Sequence, residues 1–199
     1  MTNPASERLG DYELLYELKS GGMGNVYLAR KRGTGGFEKL VAVKTILKRL
    51  SADDNMRTMF LDEAQLLSRL DHPGVAQVYD FGEHDDTLFL AMDYVAGVPF
   101  TELFAMGIPP AMAIRLVAEV CTALHAAHEL RDLQGNLLQV VHRDVSPDNL
   151  MLTFDGNIKV LDFGIALMRG RQAPVTEYGT IKGKPPYLSP EQVKGKRID

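Results

Sequence analysis

Residues 140–152 read VVHRDVSPDNLML: a His-Arg-Asp triplet, a serine at 146 and an asparagine five places after the aspartate, enclosed by two apolar runs. Polar residues and a proline between apolar flanks mark a loop anchored at both ends in a core. Asp144 and Asn149 put a carboxylate and an amide five residues apart on that one short loop, a spacing that raises the question of which reaction needs both.

The composition narrows what such a loop can serve. The chain has 199 residues, 45% hydrophobic and 24% charged, a mix that can bury one large core or two small lobes. Its formal charge of −4 gives no global attraction to nucleic acid or to an anionic bilayer, so any anion site must be built locally. The single cysteine, Cys121, excludes an internal disulfide framework and a thiolate metal site and fits a reducing, cytoplasmic setting. No apolar run reaches the roughly 18 residues a membrane span needs, and the start MTNPASERLGDY lacks the apolar region of a secretory signal.

Working outward from the loop, residues 1–10 read as a frayed tail. YELLYELKSGGMGNVYLARK (12–31) gives two strand-like runs around a glycine cluster, and KLVAVKTIL (39–47) gives a third. Ser51 and Asp54 form a capping-box signature, after which Met59, Phe60, Glu63, Leu66, Leu67 and Leu70 repeat at helical spacing. GVAQVYDFGE (74–83) and TLFLAMDYV (87–95) read as two more strands, ended by Gly97 and Pro99. Residues 110–130 form an amphipathic helix with Ile114, Val117, Val120, Cys121, Leu124 and His128 on one face. LRDLQGNLLQ (130–139) predicts a small hairpin around Gln134, Gly135 and Asn136. A β-rich region thus precedes a more helical one, with the boundary near 95–98.

Six segments fall in a fixed order: SGGMGNVYLA between strands, VAVK on a strand, DEAQLL on a helix, HRDVSPDN after a long helix, LDFG after a strand, and SPE at 189–191. In that order and spacing the chain closely resembles the protein kinases, specifically the bacterial eukaryotic-like Ser/Thr kinases, over about residues 11–199. The resemblance implies an α+β, bilobal kinase-like fold: a flexible tail over 1–10, a β-rich N-lobe over 11–95 and a partial, incomplete helical C-lobe over 96–199. It implies ATP and Mg²⁺ as cofactors and proteins as substrates. Asp144 would orient the substrate hydroxyl and take its proton; Lys44 would hold the α- and β-phosphates, anchored by Glu63; Asn149 and Asp162 would hold the metal. Lys19, Ser20, Gly21, Gly22, Met23 and Gly24 would close over the triphosphate. Val26, Ala42 and Met151 would enclose the adenine, Met92 would stand in the gatekeeper position, and Asp93 and Val95 would offer backbone groups to the base edge. His142 reads as a packing residue stacked with Phe163, Leu67 and Val78 rather than as a base. Arg143 marks kinases whose activation segment is ordered by phosphorylation, with Thr176, Tyr178 and Thr180 as candidate sites.

Three departures stand out. Lys19 replaces the first glycine of the phosphate loop. Ser146 stands where such kinases carry a lysine that contacts the transferred phosphate, and Lys184 is a candidate replacement cation. The chain stops at Asp199, short of the helices that follow in the family, so the apolar face of the long helix awaits those helices or a partner. These departures keep a rival reading open: a pseudokinase, or a truncated scaffold that binds nucleotide without transferring phosphate.

Overall fold

The computed structural model describes residues 7–21, 24–46, 54–163 and 185–194. They divide into two compact units: the residues up to Ser68 together with Ala76–Val95, and Arg69–Val75 together with the residues from Ala96 onward.

The first unit is a six-stranded sheet in the order β1-β2-β3-β4-β6-β5. Its strands are β1 (Arg8–Leu9), β2 (Tyr12–Ser20), β3 (Asn25–Arg32), β4 (Glu38–Thr45), β5 (Val78–His84) and β6 (Thr87–Asp93), each paired antiparallel with its neighbour. The turn from β5 to β6 consists of Asp85 and Asp86, both at positive φ, the geometry that suits a two-residue hairpin. Alternation along the strands sorts the side chains. Leu9, Tyr12, Leu14, Ala29, Val41, Val43, Phe89 and Ala91 form one buried cluster, with Tyr12 and Phe89 meeting edge to face at 5.7 Å between ring centres. Helix α1 (Asp54–Leu67) buries Phe60, Ala64 and Leu67 at helical spacing and packs on β5. The expected frayed tail ends earlier than Gly10: Arg8 and Leu9 pair with Glu13 and Tyr12, because Leu9 has apolar area to bury in the cluster.

The second unit has a three-stranded sheet, β7 (Gly97–Pro99), β8 (Leu150–Thr153) and β9 (Ile158–Val160). Among the described residues it is accompanied by helices α2 (Phe100–Ala105), α3 (Pro110–His128) and α4 (Pro190–Val193). Arg69–Val75 belongs here through long-range bonds: Val75 bridges Val160 in parallel, the Val160 amide donates to Gly74 O at 2.8 Å, and Lys159 Nζ donates to Val75 O at 2.9 Å. Helix α3 packs on β9 and buries Leu116, Val120, Ala123 and Ala127. The expected apolar face splits: Val120 is buried, whereas Ile114 and Val117 are 71% and 52% exposed, because the stripe that packs runs through Leu116, Ala123 and Ala127. By length and hydropathy alone α3 reaches what a membrane span needs; it packs on β9 along one narrow stripe and is otherwise largely exposed. The hairpin expected over 130–139 is present: Arg131 bridges Leu137, Leu138 N donates to Leu130 O, and Gly135 takes the turn at φ 86°.

Leu90 on β6 is fully buried. Leu90→Ala should lower the unfolding free energy by about 2–5 kcal/mol. Denaturant unfolding checks this, and a loss well under about 1 kcal/mol would mean the sheet does not close over Leu90.

Candidate active site

In the first unit, register decides which side chains share a surface. Val26 lies opposite Lys44, and Ala42 lies opposite Met92; Ala42 and Lys44 are two apart on β4. Directly opposed residues and residues two apart point the same way. Val26, Ala42, Lys44 and Met92 therefore share one face of the sheet, opposite the face that carries the Val41 and Val43 cluster. Ala42 and Met92 are buried and Lys44 half-buried, giving an apolar surface with one cation at its end. Asp93 ends β6, where its carboxylate accepts the Gln77 amide and the Tyr79 hydroxyl, and Val95 follows it in the chain.

The glycine-rich loop closes the β2–β3 hairpin. Lys19 pairs with Val26 and Ser20 with Asn25, while Gly21 and Gly24 exchange backbone bonds of 3.0 and 3.3 Å. Gly24 has a reason of its own: a Cβ there would lie 1.7 Å from the carbonyl oxygen of Thr45. The root of the loop thus rests on the backbone of β4 one residue past Lys44, a contact only glycine permits. Glu63 falls within α1, but its side chain, like Gly22, Met23, Lys184, Ser51, Thr176, Tyr178 and Thr180, lies outside the described residues.

In the second unit the loop 142–149 winds around its own polar groups. Pro147–Asn149 forms one tight helical turn closed by Asn149 N donating to Ser146 O at 2.9 Å; proline suits its first position because its φ is preset. This turn brings the Asn149 amide back to Asp144, where Nδ2 donates to the backbone oxygen at 2.9 Å and to Oδ2 at 2.8 Å. With the Asn149 NH₂ group committed in this way, Oδ1 is the end left to accept. Ser146 is 1% exposed, and its hydroxyl has no hydrogen-bond partner among the described residues.

His142 is the centre of the loop. It is 2% exposed; Nε2 lies 3.0 Å from Leu161 O, and Nδ1 accepts the Asp144 amide at 3.3 Å. The carbonyl can only accept and the amide can only donate, so the ring carries its proton on Nε2 and is neutral. Burial lowers its pKa below the usual histidine range, outweighing the opposing hydrogen bond to Leu161 and the charges of Asp144 and Asp162. Phe163 packs on the ring at 4.6 Å, tilted by 42°. His142 thus packs on Phe163, as the sequence suggested, and is also a polar bracket. Leu161 in turn donates its amide to Asn149 O at 2.8 Å, which sets Asp162 one residue beyond the loop's end. Met151 follows on β8, opposite Lys159.

The backbone carries strain where the polar groups converge. Arg143 and Asp162 both adopt the left-handed conformation, at φ 63° and 46°, a geometry costing a non-glycine residue about 1–2 kcal/mol. Such residues persist only where their surroundings hold them, and they cluster at functional sites. One of those holds was not foreseen: Gln192 Nε2 donates to Arg143 O at 2.7 Å. Its sequence signal is the Ser-x-x-Gln pattern of a capping box, which α4 indeed has. Asn149 Oδ1 and the Asp162 carboxylate are oxygen donors of the kind a hard divalent cation takes, and no group of three or more His, Cys, Asp or Glu assembles among the described residues. Magnesium is bound in this sparse way, by one or two protein oxygens plus phosphate.

The protein kinase domain model matches residues 12–199. A tyrosine-protein kinase, MasK, of Myxococcus xanthus is 38% identical over 98% of this chain and 31% of its own length. The serine/threonine-protein kinase PrkC of Bacillus subtilis is 36% identical over 94% of this chain and 27% of its own. The crystal structure of the Mycobacterium tuberculosis PknI kinase domain superposes with a TM-score of 0.69 at 31% identity, covering all of this chain and 71% of that one. The chain therefore spans about a third of the length of these curated relatives.

Protonation of His142 is disfavoured in the fold, whereas the unfolded chain takes up that proton near pH 6.5. The unfolded state binds more protons as the pH drops, so His142's contribution is intact above about pH 6.5 and lost below it. His142→Gln should be less stable than the parent at pH 7.5, and the gap should narrow by pH 5.5. Denaturant unfolding at both pH values checks this; parallel pH curves would contradict a neutral, buried imidazole.

Proposed function

Since the chain belongs to the protein kinase domain family, we propose that it transfers the γ-phosphoryl group of ATP to serine and threonine hydroxyls of proteins. The family uses ATP and a divalent metal in general. On this reading Asp144 orients the incoming hydroxyl and accepts its proton, while the Asn149 amide keeps the carboxylate aimed. Lys44 holds the α- and β-phosphates with Glu63 as its anchor. Asn149 and Asp162 would hold Mg²⁺, which when bound would neutralise charge on the phosphates. Val26, Ala42, Met92 and Met151 contact the adenine, with Asp93 and Val95 at its edge and the loop 19–24 over the phosphates. Protein substrates are the partners, and the cytoplasm, where ATP is plentiful, is the compartment.

The observation that carries this reading is the double donation of the Asn149 amide to Asp144, with an oxygen left over for a cation. A carboxylate held in this way is prepared for positional catalysis, in which little covalent work falls to the protein. The relative named as a tyrosine kinase makes the tyrosine hydroxyl the competing acceptor.

Asp144→Asn should lower the phosphotransfer rate by about 10²- to 10⁴-fold while leaving ATP binding intact. Transfer of labelled γ-phosphate to serine, threonine and tyrosine peptides, measured beside nucleotide titration, checks both. Tight ATP binding with no transfer by the parent chain would favour the scaffold reading, and tyrosine-only transfer would replace the acceptor.

A further inference from the structure

The peptide unit joining Arg143 to Asp144 is held at both edges by side chains. Its N–H donates to His142 Nδ1 at 3.3 Å, and its carbonyl accepts from Gln192 Nε2 at 2.7 Å. In a trans peptide these two groups point in opposite directions, so the two bonds together fix the tilt of the plane from which the Asp144 side chain departs. Arg143 stands at φ 63°, a conformation its own chemistry does not favour, so side chains around it have to hold it.

Gln192 supplies that hold with nothing spare to rotate. Its Oε1 accepts the Ser189 amide at 3.0 Å, and its own amide donates to Ser189 Oγ at 3.3 Å, the reciprocal bonds of the box that starts α4. One oxygen faces a donor and one nitrogen faces an acceptor, so turning the amide over would lose both bonds.

We propose that Gln192 is a positioning residue for the reaction: through the Arg143 carbonyl it fixes the peptide plane that aims Asp144, and so ties the catalytic loop to the helix start at 189–193. This rests on the phosphotransfer reading for its rate consequence, but the strut itself does not. The arrangement explains why an amide is needed at 192: alanine keeps neither bond, and a carboxylate keeps only the acceptor. A protonated carboxyl has both an acceptor and a donor, and so reproduces the amide.

The test compares the full chain with Gln192→Ala and Gln192→Glu. In Gln192→Ala, kcat should fall about tenfold, the size expected for one lost hydrogen bond of this kind, with KM for ATP unchanged. In Gln192→Glu the fall should match at pH 8, and the ratio of variant to parent kcat should recover as the pH drops and the introduced carboxyl takes up a proton. The charged groups around it, Glu191 and Lys194 on the helix side and Arg143 and Asp144 on the loop, are common to both proteins. Amide exchange at residues 142–146, expressed as protection relative to intrinsic rates, gives a second readout that needs no phosphotransfer. Protection should drop in Gln192→Ala and return in Gln192→Glu at low pH. Unchanged protection in both variants, or a kcat ratio flat with pH in an active kinase, overturns the strut. A parent chain that transfers no phosphate overturns the phosphotransfer reading, and the exchange result still decides the strut.

Discussion

A neutral imidazole buried between a carbonyl and an amide organises the second unit. His142 donates to Leu161 O and accepts from Asp144 N, so one ring joins the loop that carries Asp144 to the segment that carries Asp162. Burying a histidine with both nitrogens matched is tolerable, whereas burying it charged is costly. The desolvation that lowers its pKa therefore also keeps the bracket in place near neutral pH. Around it the tight turn at 147–149 returns Asn149 to Asp144, and Leu161 N binds Asn149 O. Asp144 and Asn149, and the chain leading into Asp162, are thus held by bonds running through two side chains and one strand end.

The first unit works by a different constraint, the parity of a sheet. One face of β3, β4 and β6 contributes to the core through Ala29, Val41, Val43 and Ala91. The other face presents Val26, Ala42, Lys44 and Met92 in opposed pairs. A one-residue slip would exchange the two faces, so the same hydrophobic burial that stabilises the sheet also decides where Lys44 points. Gly24 completes the arrangement, because the β4 backbone occupies the space a side chain there would need.

Much of this was legible in the sequence, because the evidence for it was local. Strand-like apolar runs bounded by turn residues marked β2 to β6, helical spacing marked α1 and α3, Gln134-Gly135-Asn136 marked the hairpin, and the ordered motifs pointed to the kinase family. What escaped depends on contacts far along the chain. Nothing in Arg69–Val75 announces a parallel bridge to Val160. Of the buried stripe of α3 only Val120 was read from the sequence; Leu116, Ala123 and Ala127 were missed because the alanines are small and the exposed Ile114 and Val117 are as apolar or more so. Leu9 reads as part of a polar tail until its pairing with Tyr12 is seen. The left-handed Arg143 and Asp162 carry no glycine to signal them, and Gln192 acts through a backbone carbonyl nearly fifty residues away.

The central physical claim is the protonation state of one ring, and nitrogen NMR of the His142 imidazole in labelled protein at pH 7 reads it directly. A neutral ring with its proton on Nε2 and an unprotonated, hydrogen-bonded Nδ1 is the expected result. A doubly protonated ring, or a proton on Nδ1, would mean that the Asp144 amide is not held by His142, and the bracket on which the loop 142–149 depends would not exist.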